Sequence, residues 1–186
     1  MQKQQIRSQV MALCSSLSDE ERLKSEAATL KFIAPLIINA NSVAIYHAHG
    51  IEFNLGLIIE YCQQQNKKLY QPVAYKHTRC MLFIPYDEKL KKIFYPPEYI
   101  APCSIEWYNI DLIILPTVAV DHQGNRLGKG GGYYDATLGN MPRSHTKLCG
   151  VGYTCQIMDS SLPHESFDVK LDYFAAENGL INFDGK

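Results

Sequence analysis

The chain has no Gly-Lys-Ser/Thr after its glycines, no Gly-x-Gly-x-x-Gly order and no Gly-x-Ser-x-Gly elbow. These absences argue against a P-loop, a dinucleotide-dependent oxidoreductase and a serine-nucleophile enzyme. Net charge is nearly absent as well, a formal −1 over 186 residues. No whole-molecule field therefore steers the protein toward nucleic acid or a membrane surface, and anion recognition has to come from a local cluster. Long apolar runs are missing: Phe32 to Tyr46 is broken by Pro35, Asn39 and Asn41, and Val10 to Cys14 is too short for a signal-peptide core. The six cysteines (Cys14, Cys62, Cys80, Cys103, Cys149, Cys155) form no C-x-x-C pair and sit mostly among apolar neighbours. Free thiols and a cytoplasmic location are expected, with no nucleic-acid and no membrane partner. His47-x-His49 has no further cysteine or carboxylate at zinc-site spacing, and the chain shows no internal repeat and no low-complexity tract.

What is present is concentrated in Gly124-Asn125-Arg126-Leu127-Gly128-Lys129-Gly130-Gly131-Gly132-Tyr133-Tyr134-Asp135, which holds five glycines, two cations, paired tyrosines and a carboxylate. A tight turn alone would account for one or two of the glycines, and for neither the cations nor the carboxylate. The segment follows the apolar run Leu112 to Pro116 and leads into a short helix over Tyr133 to Leu138, which predicts a strand-to-helix turn. Backbone N–H groups at such a turn donate to an anion, and glycine lets a phosphate oxygen approach without meeting a Cβ. Arg126 and Lys129 supply positive charge against a polyphosphate, and Asp135 is a hard oxygen ligand suited to magnesium.

Along the rest of the chain, Gln2 to Cys14 reads as a helix with Lys3 and Arg7 on one face. Ser18 to Glu21 is a capping box opening a longer helix with Leu23, Ala27, Leu30, Ala34 and Ile37 on one stripe, bent or ended near Pro35. Val43 to Tyr46, helical spacing at Leu55, Ile58, Ile59 and Cys62, and Lys68 to Tyr70 predict a βαβ unit. Its topology puts His47 to Asn54 at the ligand-binding edge. Met81 to Ile84 and Leu148 to Tyr153 are further strands, Asp111 to Leu115 is the central one, and a last extended segment follows Leu162. Tyr86 to Tyr108 reads as a long, partly irregular connection. The expected architecture is a single three-layer α/β domain over residues 1–186, with a central, mostly parallel sheet flanked by helices in the Rossmann-like manner.

The glycine segment resembles the signature of the 5-formyltetrahydrofolate cyclo-ligase (5,10-methenyltetrahydrofolate synthetase) family. That pattern runs apolar strand, Pro, small residues, Asp, Gly, then Arg-Leu-Gly-x-Gly-x-Gly-Tyr-Tyr-Asp, and it is met by Pro116, Asp121, Gly124 and the run Arg126 to Asp135. Lys3-x-x-x-Arg7 resembles the family's basic pair, Tyr46 to Glu52 its substrate segment, and Val151-Gly152-Tyr153 through Leu162 to Val169 its C-terminal block. The chain departs from the pattern around Glu52, where Ile51 precedes and Phe53-Asn54-Leu55 follows, and at Ala101-Pro102, which lacks a preceding glutamate.

The resemblance implies a ligase of one-carbon metabolism that closes 5-formyltetrahydrofolate to 5,10-methenyltetrahydrofolate with ATP and Mg2+ and releases ADP and phosphate; a monomer is expected. It implies ATP binding by Lys3, Arg7, Arg126, Leu127, Gly128, Lys129, Gly130, Gly131, Gly132, Tyr133 and Tyr134. Catalytic roles fall on Arg126, Lys129 and Tyr133, the metal on Asp135 and Asp168, and the folate on His47 and Glu52. Tyr133 and Tyr134 could stack on pterin or adenine, or pack in the core. The alternative is a nucleotide-binding regulatory or interaction protein that has lost folate chemistry, for which the departures at Glu52 and Pro102 speak.

Overall fold

Leu112 to Pro116 is apolar at every position before its proline, as a strand covered on both faces must be, and it lies mid-sheet. The computed structural model describes residues 2–75, 79, 81–90, 94–95, 106–139 and 145–183. In chain order these form α1 (Lys3–Ser16), α2 (Asp19–Asn39), β1 (Ser42–Ala44), α3 (Gly56–Gln64), β2 (Lys68–Tyr75), β3 (Met81–Pro85), β4 (Phe94–Tyr95), β5 (Leu112–Pro116), β6 (Ala119–Asp121) and β7 (Arg126–Leu127). They continue with α4 (Tyr133–Leu138), β8 (Lys147–Val151), β9 (Ile157–Met158), β10 (Tyr173–Ala176) and β11 (Gly179–Asn182).

Among the described residues an eight-stranded sheet runs β11-β10-β8-β5-β1-β2-β3, with β4 also paired to β2, and a three-stranded sheet runs β7-β6-β9. The inner pairs are parallel and the outer pairs β10–β11 and β2–β3 antiparallel. Strand alternation divides the core. Leu112 and Ile114 join Val10, Ile33, Ile37, Ile58 and Cys62 under α1, α2 and α3. Ile113 and Leu115 join Phe83, Trp107, Leu138, Leu171 and Phe174 on the other side. The expected α/β sheet flanked by helices is present, but unequally covered. Three helices lie on one face, while the short α4 and irregular segments lie on the other.

The structure narrows one local expectation and corrects three. Pro35 does not end α2, which continues to Asn39; the proline lies on the exposed side, where water can reach the carbonyl that its missing N–H leaves free. The packed row of α2 is Thr29, Ile33 and Ile37, rotated round the helix from the expected stripe, and Leu23 is 60% exposed. The hairpin β6–β7 stands between β5 and the glycines, and the last extended segment is itself a hairpin, β10–β11. The Ser18–Glu21 capping box and the parallel β1–α3–β2 unit form as expected. Cys14, Cys62, Cys149 and Cys155 are free thiols. Cys80, Cys103, Ala101-Pro102 and most of the stretch between Tyr86 and Tyr108 lie outside the described residues.

From β1 the chain steps outward to β2, and from β5 outward the other way to β8 and β10, so strand order reverses between β1 and β5. A crevice opens beyond the carboxyl ends of strands at such a switch point. There the loop after β1 faces the crossover from β5 to β8, which carries the glycines.

Candidate functional site

That crevice is a cavity of about 570 Å³. Every sequence-predicted site residue lines it: Lys3 and Arg7 from α1, His47 and Glu52 after β1, Arg126 to Asp135 from the crossover, and Asp168 from the loop before β10.

Asp121 sets the shape of the crossover. Its Oδ1 accepts from the backbone N–H of Gln123 at 2.9 Å and of Asn125 at 3.0 Å, while Oδ2 accepts from Asn125 Nδ2 and from Leu162 N, each at 2.8 Å. Burial pushes this carboxyl's pKa up, but the four donors outweigh it and hold the pKa below the usual carboxylate value. The hairpin so closed delivers Arg126, whose side chain is only 3% exposed. Arg126 Nη1 donates to the Pro116 carbonyl at 3.1 Å, Nη2 donates to Asp135 Oδ1 at 3.1 Å, and the guanidinium lies 5.8 Å from the centre of the Tyr134 ring. Its Nε is buried and has no hydrogen-bond partner among the described residues. An orphaned charged donor is costly, and an incoming acceptor would relieve it.

Above this arginine the loop has to be glycine. A Cβ on Gly128 would stand 2.9 Å from Arg126 Nη1, and Gly130 holds φ at +101°, with its Cβ position 3.5 Å from the Arg7 guanidinium carbon. Arg7 Nε donates to the Gly128 carbonyl at 2.8 Å, tying α1 to the loop. Gly132 caps α4, which at six residues is too short to supply much dipole. The positive character of the site rests instead on Lys3, Arg7, Arg126 and Lys129.

Three of these cations face carboxylates. Lys3 Nζ lies 2.8 Å from Asp168 Oδ2 and 3.4 Å from Glu165 Oε1, Arg126 pairs with Asp135 as above, and Lys129 Nζ lies 2.9 Å from Glu52 Oε1. Burial raises the Asp168 pKa, yet the Lys3 ammonium and the Glu165 N–H hold it below the ordinary value. Lys3 is displaced upward: its desolvation is outweighed by the same partner. Asp135 Oδ1 also accepts from Val169 N at 3.1 Å, which joins the glycine loop to the segment carrying Asp168.

On the opposite wall the Tyr46 hydroxyl, buried beneath the loop, donates to the Phe53 carbonyl at 2.8 Å and folds residues 47–52 toward the cavity. His49 N donates to Glu52 Oε2 at 2.7 Å, fixing the carboxylate, and the His47 ring stacks on Tyr86 with centroids 6.3 Å apart. Tyr134 is half-buried against the core and Arg126, while Tyr133 lines the cavity. Sequence reasoning missed Pro72, Arg79, Met81 and Phe167, which also line it. The first three come from β2, β3 and the residues between, with no motif to mark them, and Phe167 shows only as a large apolar side chain left 63% exposed. Among the described residues no group of three or more His, Cys, Asp or Glu is placed to hold a metal ion, and no helix is long and apolar enough to cross a membrane.

The model of the 5-formyltetrahydrofolate cyclo-ligase family matches residues 1–177. The chain is similar to the 5-formyltetrahydrofolate cyclo-ligase of Haemophilus influenzae, 30% identical over 177 residues that cover 91% of this chain and 94% of that one. It is also similar to that of Escherichia coli K12, 28% identical over 158 residues, 82% and 86% of the two chains. Among solved structures, the 5,10-methenyltetrahydrofolate synthetase of Aquifex aeolicus matches with a TM-score of 0.75 at 25% identity, covering 100% of this chain and 95% of that one. The synthetase of Mycoplasma pneumoniae, at 22% identity and a TM-score of 0.75 over 95% and 99% of the two chains, shares the fold.

Proposed function

Because this chain belongs to the 5-formyltetrahydrofolate cyclo-ligase family, we propose that the cavity at the β1/β5 switch point is where it binds ATP, magnesium and the reduced folate, within one catalytic domain over residues 1–186. The enzyme is a 5-formyltetrahydrofolate cyclo-ligase, forming 5,10-methenyltetrahydrofolate. The observation that carries the site assignment is convergence: four separated segments bring Lys3, Arg7, Arg126, Lys129, Glu52, Asp135 and Asp168 to one cavity.

The chemical obstacle is the formamide oxygen, a poor leaving group. Transfer of the γ-phosphoryl group of ATP to that oxygen, with release of ADP, makes it a good one; nitrogen 10 then attacks the formyl carbon, gives up its proton to water, and the C–O bond breaks as phosphate departs. Such a route needs charge stabilisation and placement more than a covalent nucleophile. Lys3, Arg7, Arg126 and Lys129 hold the triphosphate through charge-assisted contacts. Glu52, fixed by the His49 N–H, accepts from the amino-pyrimidine edge of the pterin beside His47. Tyr133 and the glycine backbone border the reacting groups.

The donor set fits magnesium. Asp135 and Asp168 are two oxygen-bearing carboxylates on one cavity, and Mg2+ takes one or two carboxylates together with waters and substrate phosphates. The ion supplies neutralisation of phosphate charge during transfer. The cytoplasm is the compartment that suits the free thiols, and a monomer suffices because every proposed site residue comes from one chain.

Formation of methenyltetrahydrofolate, followed by its absorbance with and without ATP and magnesium, tests the assignment. Product is expected only with both. Equal turnover after ATP is omitted or magnesium chelated would overturn it.

A further inference from the structure

The ion pair between Glu52 and Lys129 joins the folate-binding segment to the nucleotide loop. Both Glu52 oxygens are engaged, Oε1 by Lys129 Nζ at 2.9 Å and Oε2 by His49 N at 2.7 Å, and Lys129 also donates to the His49 carbonyl at 3.2 Å. The partners are unequally held. The Glu52 side chain is 12% exposed and anchored by its own loop, whereas Lys129 is 45% exposed on a flexible stem between two glycines. Arg7 meanwhile tethers the Gly128 carbonyl, so the backbone at the root of Lys129 stays put when the side chain swings.

We propose that Lys129 is shared between the two substrates: Glu52 holds its ammonium in the free enzyme, and occupation of Glu52 by the folate's amino-pyrimidine releases it to the nucleotide phosphates. The proposal rests on the assignment of Glu52 to the pterin and of the glycine loop to ATP. A carboxylate that accepts two pterin N–H groups attracts the ammonium less, and a triphosphate that draws the ammonium away frees the carboxylate. Each substrate therefore raises affinity for the other, and linkage requires the two factors to be equal. A half-exposed pair of this kind sets the factor at about two- to five-fold.

The test is calorimetric titration with magnesium and a non-hydrolysable β,γ-imido analogue of ATP, with and without 5-formyltetrahydrofolate, on wild type, Lys129→Met and Glu52→Gln. In wild type, folate tightens analogue binding by about two- to five-fold. In Lys129→Met the ratio falls to one, while folate alone binds at least as well as to wild type because its competitor for Glu52 is gone. In Glu52→Gln without folate, the analogue binds more tightly than to wild type, since Lys129 is released in advance. Wild-type coupling retained in Lys129→Met, or no tightening in Glu52→Gln, overturns the sharing while leaving the site assignment standing. Normal folate affinity in Glu52→Gln instead removes the pterin from Glu52, and the proposal falls with it.

Discussion

Asp121 does not line the cavity, yet it should decide whether the glycine loop forms. In Asp121→Asn the amide oxygen can keep the acceptor role of Oδ1 toward the N–H groups of Gln123 and Asn125. The amide nitrogen then replaces Oδ2, where it faces Asn125 Nδ2 and Leu162 N, donors against a donor. Asn125 can turn its own amide over and offer oxygen; the Leu162 N–H has no such recourse. One buried N–H loses its partner and three charge-assisted bonds become neutral, costing about 2–4 kcal/mol in all. For a chain of this size that corresponds to a Tm lower by roughly 5–15 °C. The pH dependence provides a second measurement. The folded-state pKa of Asp121 is depressed, so its contribution is complete above the unfolded-state value and is lost as pH falls through the folded one. Urea unfolding of both proteins should show a constant gap from neutral pH down to about 5 that narrows below about 4. A melting temperature within a degree or two of wild type, or a gap that does not change in acid, would refute the reasoning.

Arg126→Ala should raise the apparent ATP constant or lower the rate by about ten- to a hundred-fold, and Arg126→Lys should fall between, since an ammonium cannot bridge Pro116 and Asp135 as the guanidinium fork does; a change in folate affinity alone would refute the nucleotide role. Asp135→Ala should abolish turnover with an unchanged circular dichroism spectrum and a stability loss of about 1–3 kcal/mol from the unpaired Arg126 and Val169 N–H; wild-type rates would contradict it. Asp168→Ala should lose activity that added magnesium partly restores, while affinity for metal-free ATP holds because Lys3 is released; an unchanged magnesium dependence would take Asp168 out of the site.

The sequence by itself determined which residues to watch and much of the frame. Helix periodicity and the capping box marked α1 to α3, the apolar run marked the central strand, and the unbroken Arg126 to Asp135 marked the loop, because these signals depend on residues adjacent in the chain. It did not reveal the β6–β7 and β10–β11 hairpins, whose strands are two to four residues long and carry too few positions for a period to show. Nor did it place Arg79 or Phe167 at the cavity. Above all it did not show that Lys3 faces Asp168, Arg126 faces Asp135 and Lys129 faces Glu52. A sequence displays the sign of each charge and its position along the chain, whereas pairing is set by which strand ends become neighbours. Only the sheet order, reversing between β1 and β5, brings the Glu52 carboxylate within 2.9 Å of Lys129 and gives the cavity its internally compensated charge.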